Sequence, residues 1–198
     1  TAGLHFTKKI IKKLKLKFKT DYLTLHVGIG TFKPIYEKII IDHKMHSEEI
    51  IISKQNIYNL KKSKNIIAVG TTSLRTLESL YFLGIKLLNN NTDINIEQYP
   101  YKKNYKKYDK NEICNIILKF MNSKKLNFIK FRSSLFILPG YNFNFCDQLI
   151  TNFHYPKSTL ILLIAAFVGE DWKKIYKFAT KKKFRFLSYG DSSLLFKK

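Results

Sequence analysis

Residues 66–79 read IIAVGTTSLRTLES, and this stretch limits what the chain can fold into more than any other. The run Asn65–Val69 is apolar and β-branched, the pattern of a buried strand. Gly70 turns it, the hydroxyl residues Thr71, Thr72 and Ser73 open a helix over Leu74–Leu83, and Gly84 is placed to close that helix. A strand that runs straight into a helix is the unit of a layered α/β domain.

The rest of the chain reads the same way. A helical stripe runs over Lys8–Phe18 with Thr7 as its N-cap, and Leu23–Val27 is strand-like. Glu49–Ser53 is a β-branched run, followed by a short helix at Gln55–Lys62. Helical spacing returns at Ile113–Met121, strand patterns at Leu135–Leu138 and Gln148–Asn152. An almost wholly apolar helix covers Ser158–Val168, and another begins at Asp171 and reaches about Lys182. The expected class is therefore α/β: three layers, a mostly parallel or mixed sheet, helices on both faces. Asn89–Lys110 is polar, rich in tyrosine and without period, so a surface insertion is expected over about 89–130.

The formal net charge of +22 would attract a polyanion, which makes nucleic acid the first partner to consider. The excess of Lys, Ile, Asn, Tyr and Phe is also what AT-rich codons produce, so charge alone does not decide. Cys114 and Cys146 form no CxxC pair, which excludes a disulfide scaffold and a zinc knuckle and favours a reducing cytoplasm. The longest apolar run, Leu160–Val168, falls well short of the roughly 20 residues of a membrane span. No charged-then-apolar signal opens the sequence, and Thr1 in first place is consistent with a piece of something longer.

Lysine appears 33 times and arginine three times, so each arginine stands out against the background. Arg75 and Arg185, four of the five histidines and most glycines fall in lysine-poor blocks: 20–32, 43–49, 65–85, 133–156 and 184–191. In the first, Gly28 and Gly30 follow a strand carrying His26, where glycine permits close approach to the main chain. In the second, DHKMHSEE places His43 and His46 on one face if it is helical, with Glu48 beside them, for acid–base work or for a metal. In the third, the N–H groups opening the helix after Gly70 attract a carboxylate or phosphate onto which Arg75 can fork, unless Arg75 pairs with Glu78 or Glu48 in a simply capped helix. The glycine spacing fits neither a dinucleotide fingerprint nor a P-loop. His154 sits at a strand end before a proline, and Ser188–Asp191 is a glycine turn.

The order of these blocks is more specific than any one of them. TAGLHF (1–6), TLHVGIGTFKP (24–34), DHKMHSE (42–48), AVGTTSLRTLES (68–79), FILPGYNF (136–143), LITNFHYPKSTLILLIAAFVG (149–169) and FRFLSYGD (184–191) resemble, in sequence and succession, the S-adenosylmethionine:tRNA ribosyltransferase-isomerases of queuosine biosynthesis. The resemblance spans nearly the whole chain. It departs at Ile29, Leu138 and Tyr155, where the family usually has Ala, Tyr and Leu, and over 89–130.

The resemblance implies that the chain is the C-terminal portion of a longer enzyme, whose small β-barrel domain lies in the other half. It implies transfer and isomerisation of the ribosyl part of S-adenosylmethionine onto an aminomethyl-7-deazaguanine at the wobble position of tRNA. Epoxyqueuosine, adenine and methionine are the products, with no metal, in the cytoplasm, and a monomer is expected.

On that basis His43, His46, Glu48 and His26 are the candidate proton-transfer groups. Gly28, Gly30, Gly70, Thr71, Thr72, Ser73, Arg75, Asp147, Asn152, His154, Tyr189 and Asp191 are the candidate substrate and cofactor contacts. Asp147 or Asp191 is expected to face a cationic or amino group, and Tyr141, Phe143 and Phe153 are candidate stacking faces for a flipped-out base. Two other readings compete: a non-catalytic basic RNA-binding remnant, and a metal hydrolase built on His26, His43, His46 and Glu48.

Overall fold

A computed structural model describes residues 2–26, 35–37 and 39–198. Among the described residues six strands divide between two three-stranded sheets, with six helices around them. In the first sheet β1 (Thr24–His26), β2 (Glu48–Ser53) and β4 (Phe128–Ser133) lie in the order β1-β2-β4, antiparallel throughout. In the second, β3 (Ile67–Val69) runs parallel to β5 (Gln148–Asn152), and β6 (Ser192–Phe196) pairs antiparallel on the other side of β5. The α/β class and the mixed pairing agree with the sequence reading. The division into two sheets, with one parallel pair, is what the structure adds.

Helix starts follow local chemistry. Thr7 caps α1 (Lys8–Lys17), and Ser53 with Asn56 forms a capping box at α2 (Lys54–Lys62). Asp109 with Glu112 does the same at α4 (Lys110–Ser123), and Ser158 caps α5 (Thr159–Val168). The last helix, α6, spans Asp171–Lys181.

The centre of the fold is α3 (Thr71–Leu88), in which 14 of 18 residues are buried. A helix covered on all sides is the core rather than its lid. Gly84 does not end it: α3 continues to Leu88, and a Cβ at Gly84 would lie 2.8 Å from Cγ2 of Ile113 on α4. The glycine lets two helices approach, a role that depends on a residue 29 positions away and is invisible in its own neighbourhood.

The surface insertion expected over 89–130 is only half a surface feature. Residues 89–109 do run outside, fastened by buried Ile96 and by the Tyr101 hydroxyl donating to the Phe136 carbonyl. Residues 110–130 belong to the core: Ile113, Cys114, Ile117 and Met121 of α4 are fully buried, and β4 pairs along the whole of β2. Leu135–Leu138 is not a strand, although Leu135, Phe136 and Ile137 are buried; Ser134 and Phe136 donate to the carbonyls of Ile96 and Gln98 instead.

Two charged side chains of α3 are buried, and each fastens the helix to another part of the chain. Glu78, fully buried, accepts from the backbone N–H groups of Asn144, Phe145 and Cys146 at 2.8–3.0 Å and from the Tyr141 hydroxyl at 3.0 Å. Burial pushes its carboxyl above the usual range, while the N–H donors work against that rise. This cradle holds the segment that leads into β5. Replacing Glu78 by Gln turns one acceptor oxygen into a donor facing N–H or O–H groups. The expected loss is about 2–3 kcal/mol in denaturant unfolding of the full-length protein; an unchanged midpoint would contradict the cradle.

Candidate active-site cleft

β3 and β5 run side by side in the same direction, so both end on the same edge of their sheet. Beyond that edge lies a cleft of about 690 Å³, within the ~300–1,000 Å³ of small-molecule sites. Ligands of α/β sheets bind beyond the carboxyl ends of the strands. Its walls are the start of α3 (Gly70–Ser73), the end of β5 with the following turn (Thr151, Asn152, His154–Ser158) and residues 187–188. Ala2 and Gly3 complete it from the N-terminal 3-10 turn Ala2–His5.

Gly70 makes the first wall possible. Its N–H continues the strand ladder to the Ile150 carbonyl at 2.8 Å, and its φ of +90° is one that side-chain-bearing residues avoid. As the residue before α3 it offers no side-chain cap, unlike Thr7, Ser53, Asp109 and Ser158 at other helices. The first turn of the central helix therefore presents its N–H groups and positive dipole end toward the cleft without a side-chain oxygen over them. The start of α5, with Lys157 and Ser158, reaches the same cleft.

The β5 end supplies polar side chains. Asn152 is 2 % exposed; its Nδ2 lies 3.0 Å from the Leu187 carbonyl and 3.0 Å from Nε2 of His5, while its Oδ1 is buried with no partner. His154 is 8 % exposed, its Nε2 is 2.9 Å from the Thr151 hydroxyl, and its backbone N–H donates to the Tyr176 hydroxyl. Burial pulls the His154 imidazole down to about 4, so it is neutral near pH 7.

A second polar group lies one turn further along α3. The buried Glu48 carboxylate, at the start of β2, receives Nη2 of Arg75 at 3.0 Å on one oxygen and meets Nε2 of His46 at 3.0 Å on the other. Arg75 is 4 % exposed, and its Nε and Nη1 are buried without a partner. Burial lowers the Arg75 pKa and Glu48 opposes that, as a buried ion pair requires. None of the three is among the cleft-lining residues.

Of the residues singled out in the sequence, the cleft thus gathers Gly70, Thr71, Thr72, Ser73, Asn152 and His154, with Arg75, Glu48 and His46 joined to one another beside it. Others are placed differently. Residues 43–47 are not helical, so His43 and His46 do not share a helical face; His43 pairs with Glu37 at 2.9 Å and sits edge-on to Phe136. His26 is exposed on β1, opposite Glu49.

Asp147 stands at the far end of β5 from Asn152, where it accepts from the Ile66 N–H at 2.9 Å and pairs with Lys197 at 3.4 Å. Asp191 is occupied by the Arg185 backbone N–H and guanidinium at 2.8 and 2.9 Å, and Tyr189 is exposed. Tyr141 and Phe153 are packed inside rather than offered as stacking faces, and Phe143 packs against the same core. Gly28 and Gly30 lie outside the described residues. Among the described residues no three His, Cys, Asp or Glu side chains come together as metal ligands, and no helix is long and apolar enough to cross a membrane. His5, within the TAGLHF block, meets Asn152 through a contact that nothing in its own neighbourhood signals.

The family model described as "Queuosine biosynthesis protein" matches residues 1–195. The chain belongs to this family. S-adenosylmethionine:tRNA ribosyltransferase-isomerase of Rickettsia typhi is 42 % identical over all of this chain and 44 % of its own length. That of Halothermothrix orenii is 39 % identical over 98 % of this chain and 48 % of its own. The crystal structure of S-adenosylmethionine tRNA ribosyltransferase from Thermotoga maritima superposes with a TM-score of 0.62 at 30 % identity, over 98 % of this chain and 51 % of that one. The chain spans about half the length, or a little less, of these queuosine-biosynthesis relatives.

A histidine buried in neutral form makes stability depend on pH. Between its folded value of about 4 and the unfolded value near 6.5, the unfolded chain takes up a proton that the folded chain refuses. Stability is thus complete above about pH 6.5 and falls as the pH drops toward 4, by about 2–3 kcal/mol from His154 alone. Denaturant unfolding of the full-length protein at pH 7, 5.5 and 4.5 is expected to show this slope, reduced in His154→Gln. An identical slope in the variant would contradict it.

Proposed function

We propose that the protein transfers and isomerises the ribosyl group of S-adenosylmethionine onto the aminomethyl-7-deazaguanine wobble base of tRNA, releasing adenine and methionine. It does so as a cytoplasmic monomer that recognises the anticodon region and uses no metal. The observation that carries this reading is the cleft beyond β3 and β5: its walls come from the GTTS and NFHYPKS segments that place the chain in its family. Relatives 39–42 % identical bear the name of that enzyme. The size of the cleft, the uncapped start of α3 and the orphan Asn152 oxygen fit a nucleoside carrying a carboxylate and an amine.

When bound, the sulfonium acidifies the adjoining ribose carbon and makes a good leaving group. The chain's own residues then have separable tasks. The first turn of α3 receives the methionine carboxylate on its N–H groups, while Arg75, one position further on, is held by Glu48. Glu48, held by Arg75, accepts from Nε2 of His46 and so fixes the orientation of the imidazole. His46, beside the cleft rather than in its lining, is the proposed base. Neutral His154 and Asn152 face the bound donor from the β5 side. A net charge of +22 speeds capture of the RNA.

Full-length protein incubated with precursor-modified tRNA and ribose-labelled S-adenosylmethionine is expected to place label in the RNA and release adenine in equal amount. Absence of both would overturn the reading. His46→Ala is expected to lower turnover about a hundredfold or more while the S-adenosylmethionine KM stays within about threefold. Unchanged turnover would remove His46 from proton transfer.

A further inference from the structure

Resting on the reading of the cleft as a sulfonium-nucleoside site, we propose that the amide oxygen of Asn152 is the seat of the α-amino group of the donor's methionine end, and that His5 is the residue that positions it. The carbonyl of Leu187 can only accept, so the amide nitrogen of Asn152 must face it at 3.0 Å. Nε2 of His5, also 3.0 Å from that nitrogen, takes the second amide hydrogen as an acceptor. The Gly190 carbonyl stands at 3.5 Å on the same side. Three acceptors around one NH₂ group leave no choice of orientation, and Oδ1 is turned the other way. It is buried, in a residue that lines the cleft, and among the described residues nothing donates to it.

An orphan acceptor sealed from water is destabilising, and native structures rarely keep one without a reason. What fills it must carry N–H or N⁺–H, and must reach it by opening the seal as it binds. The start of α3, in the same cleft, names the rest of the ligand. The start of α3 has no side-chain cap and favours an anion, so one cleft presents an anion seat and an N–H acceptor. An α-amino acid bears both complementary groups on one carbon.

A neutral oxygen suits this better than a carboxylate, which would repel the ligand's own carboxylate across the cleft. The negative charges expected for this task are engaged elsewhere: Asp191 by Arg185, and Asp147 at the other end of β5. The Leu187 carbonyl fixes the amide's orientation, and His5, as a second partner on the same nitrogen, holds it there.

The test is calorimetric, on the full-length protein, with S-adenosylmethionine and its analogue in which the α-amino group is replaced by hydrogen. The wild-type protein is expected to bind S-adenosylmethionine at least about tenfold more tightly than the desamino analogue. Asn152→Ala is expected to bind the two equally. His5→Leu, at a half-buried position that folding tolerates more readily, is expected to cut the preference to about threefold while leaving the affinity for 5′-methylthioadenosine unchanged. An undiminished preference in either variant overturns the assignment. So does loss, in Asn152→Ala, of the discrimination between 5′-methylthioadenosine and 5′-methylthioinosine, which would seat the adenine amine there instead. A wild-type protein that binds none of these nucleosides overturns the underlying reading of the cleft rather than the role of Asn152.

Discussion

The parallel pairing of β3 with β5 is the constraint from which the rest follows. Ile67, Ala68 and Val69 lie against Gln148, Leu149 and Ile150, although nearly 80 residues separate the strands in sequence. Parallel strands cannot be joined by a tight turn, so the intervening chain must cross over and return. It does so through α3, α4 and β4, and that crossover builds the core. Because the two strands point the same way, α3 follows β3 at the same edge where the turn leading to α5 follows β5. The cleft, with two helix starts and the Asn152–His154 segment around it, is a consequence of strand direction before it is a matter of particular side chains.

Burying α3 on all sides creates a difficulty that its sequence resolves. Arg75 and Glu78 lie within one turn of each other and are both inside. Unpaired buried charges would be ruinous, and each is met from a different direction: Arg75 by Glu48 of the antiparallel sheet, Glu78 by the backbone leading into β5. The helix is thereby fastened to both sheets by directional interactions. Apolar packing would permit small rotations of α3; these contacts do not, and the first turn keeps its aim at the cleft. The same Glu48 holds His46, so the proposed base takes its position from the residue that neutralises the central arginine.

The sequence was most informative where local chemistry decides. Thr7, Gly70 and Ser158 mark helix starts by their own backbone and side-chain preferences, and each proved to be where it was expected. It was least informative where a distant partner decides. Gly84 reads as a stop signal until Ile113 is seen against it.

β4 was lost because FIKFRS alternates with lysine, arginine and an exposed Phe128 on its outer face, hiding the buried Ile129, Phe131 and Ser133. Asp147 and Asp191 sit beside family motifs and carry the right charge, yet their oxygens serve backbone N–H groups and basic side chains that no local pattern announces. His5 was overlooked for the opposite reason. A half-buried histidine near the start of the chain has no meaning until Asn152 is beside it.

The central claim is that S-adenosylmethionine binds in the cleft beyond β3 and β5, against the open start of α3. Amide hydrogen exchange of the full-length protein, followed by mass spectrometry with and without S-adenosylmethionine, addresses it directly. The account predicts slowed exchange concentrated in peptides covering residues 70–74 and 151–160, with the far end of β5 near Asp147 unaffected. Protection confined to other segments, with 70–74 exchanging at the same rate in both states, would contradict it.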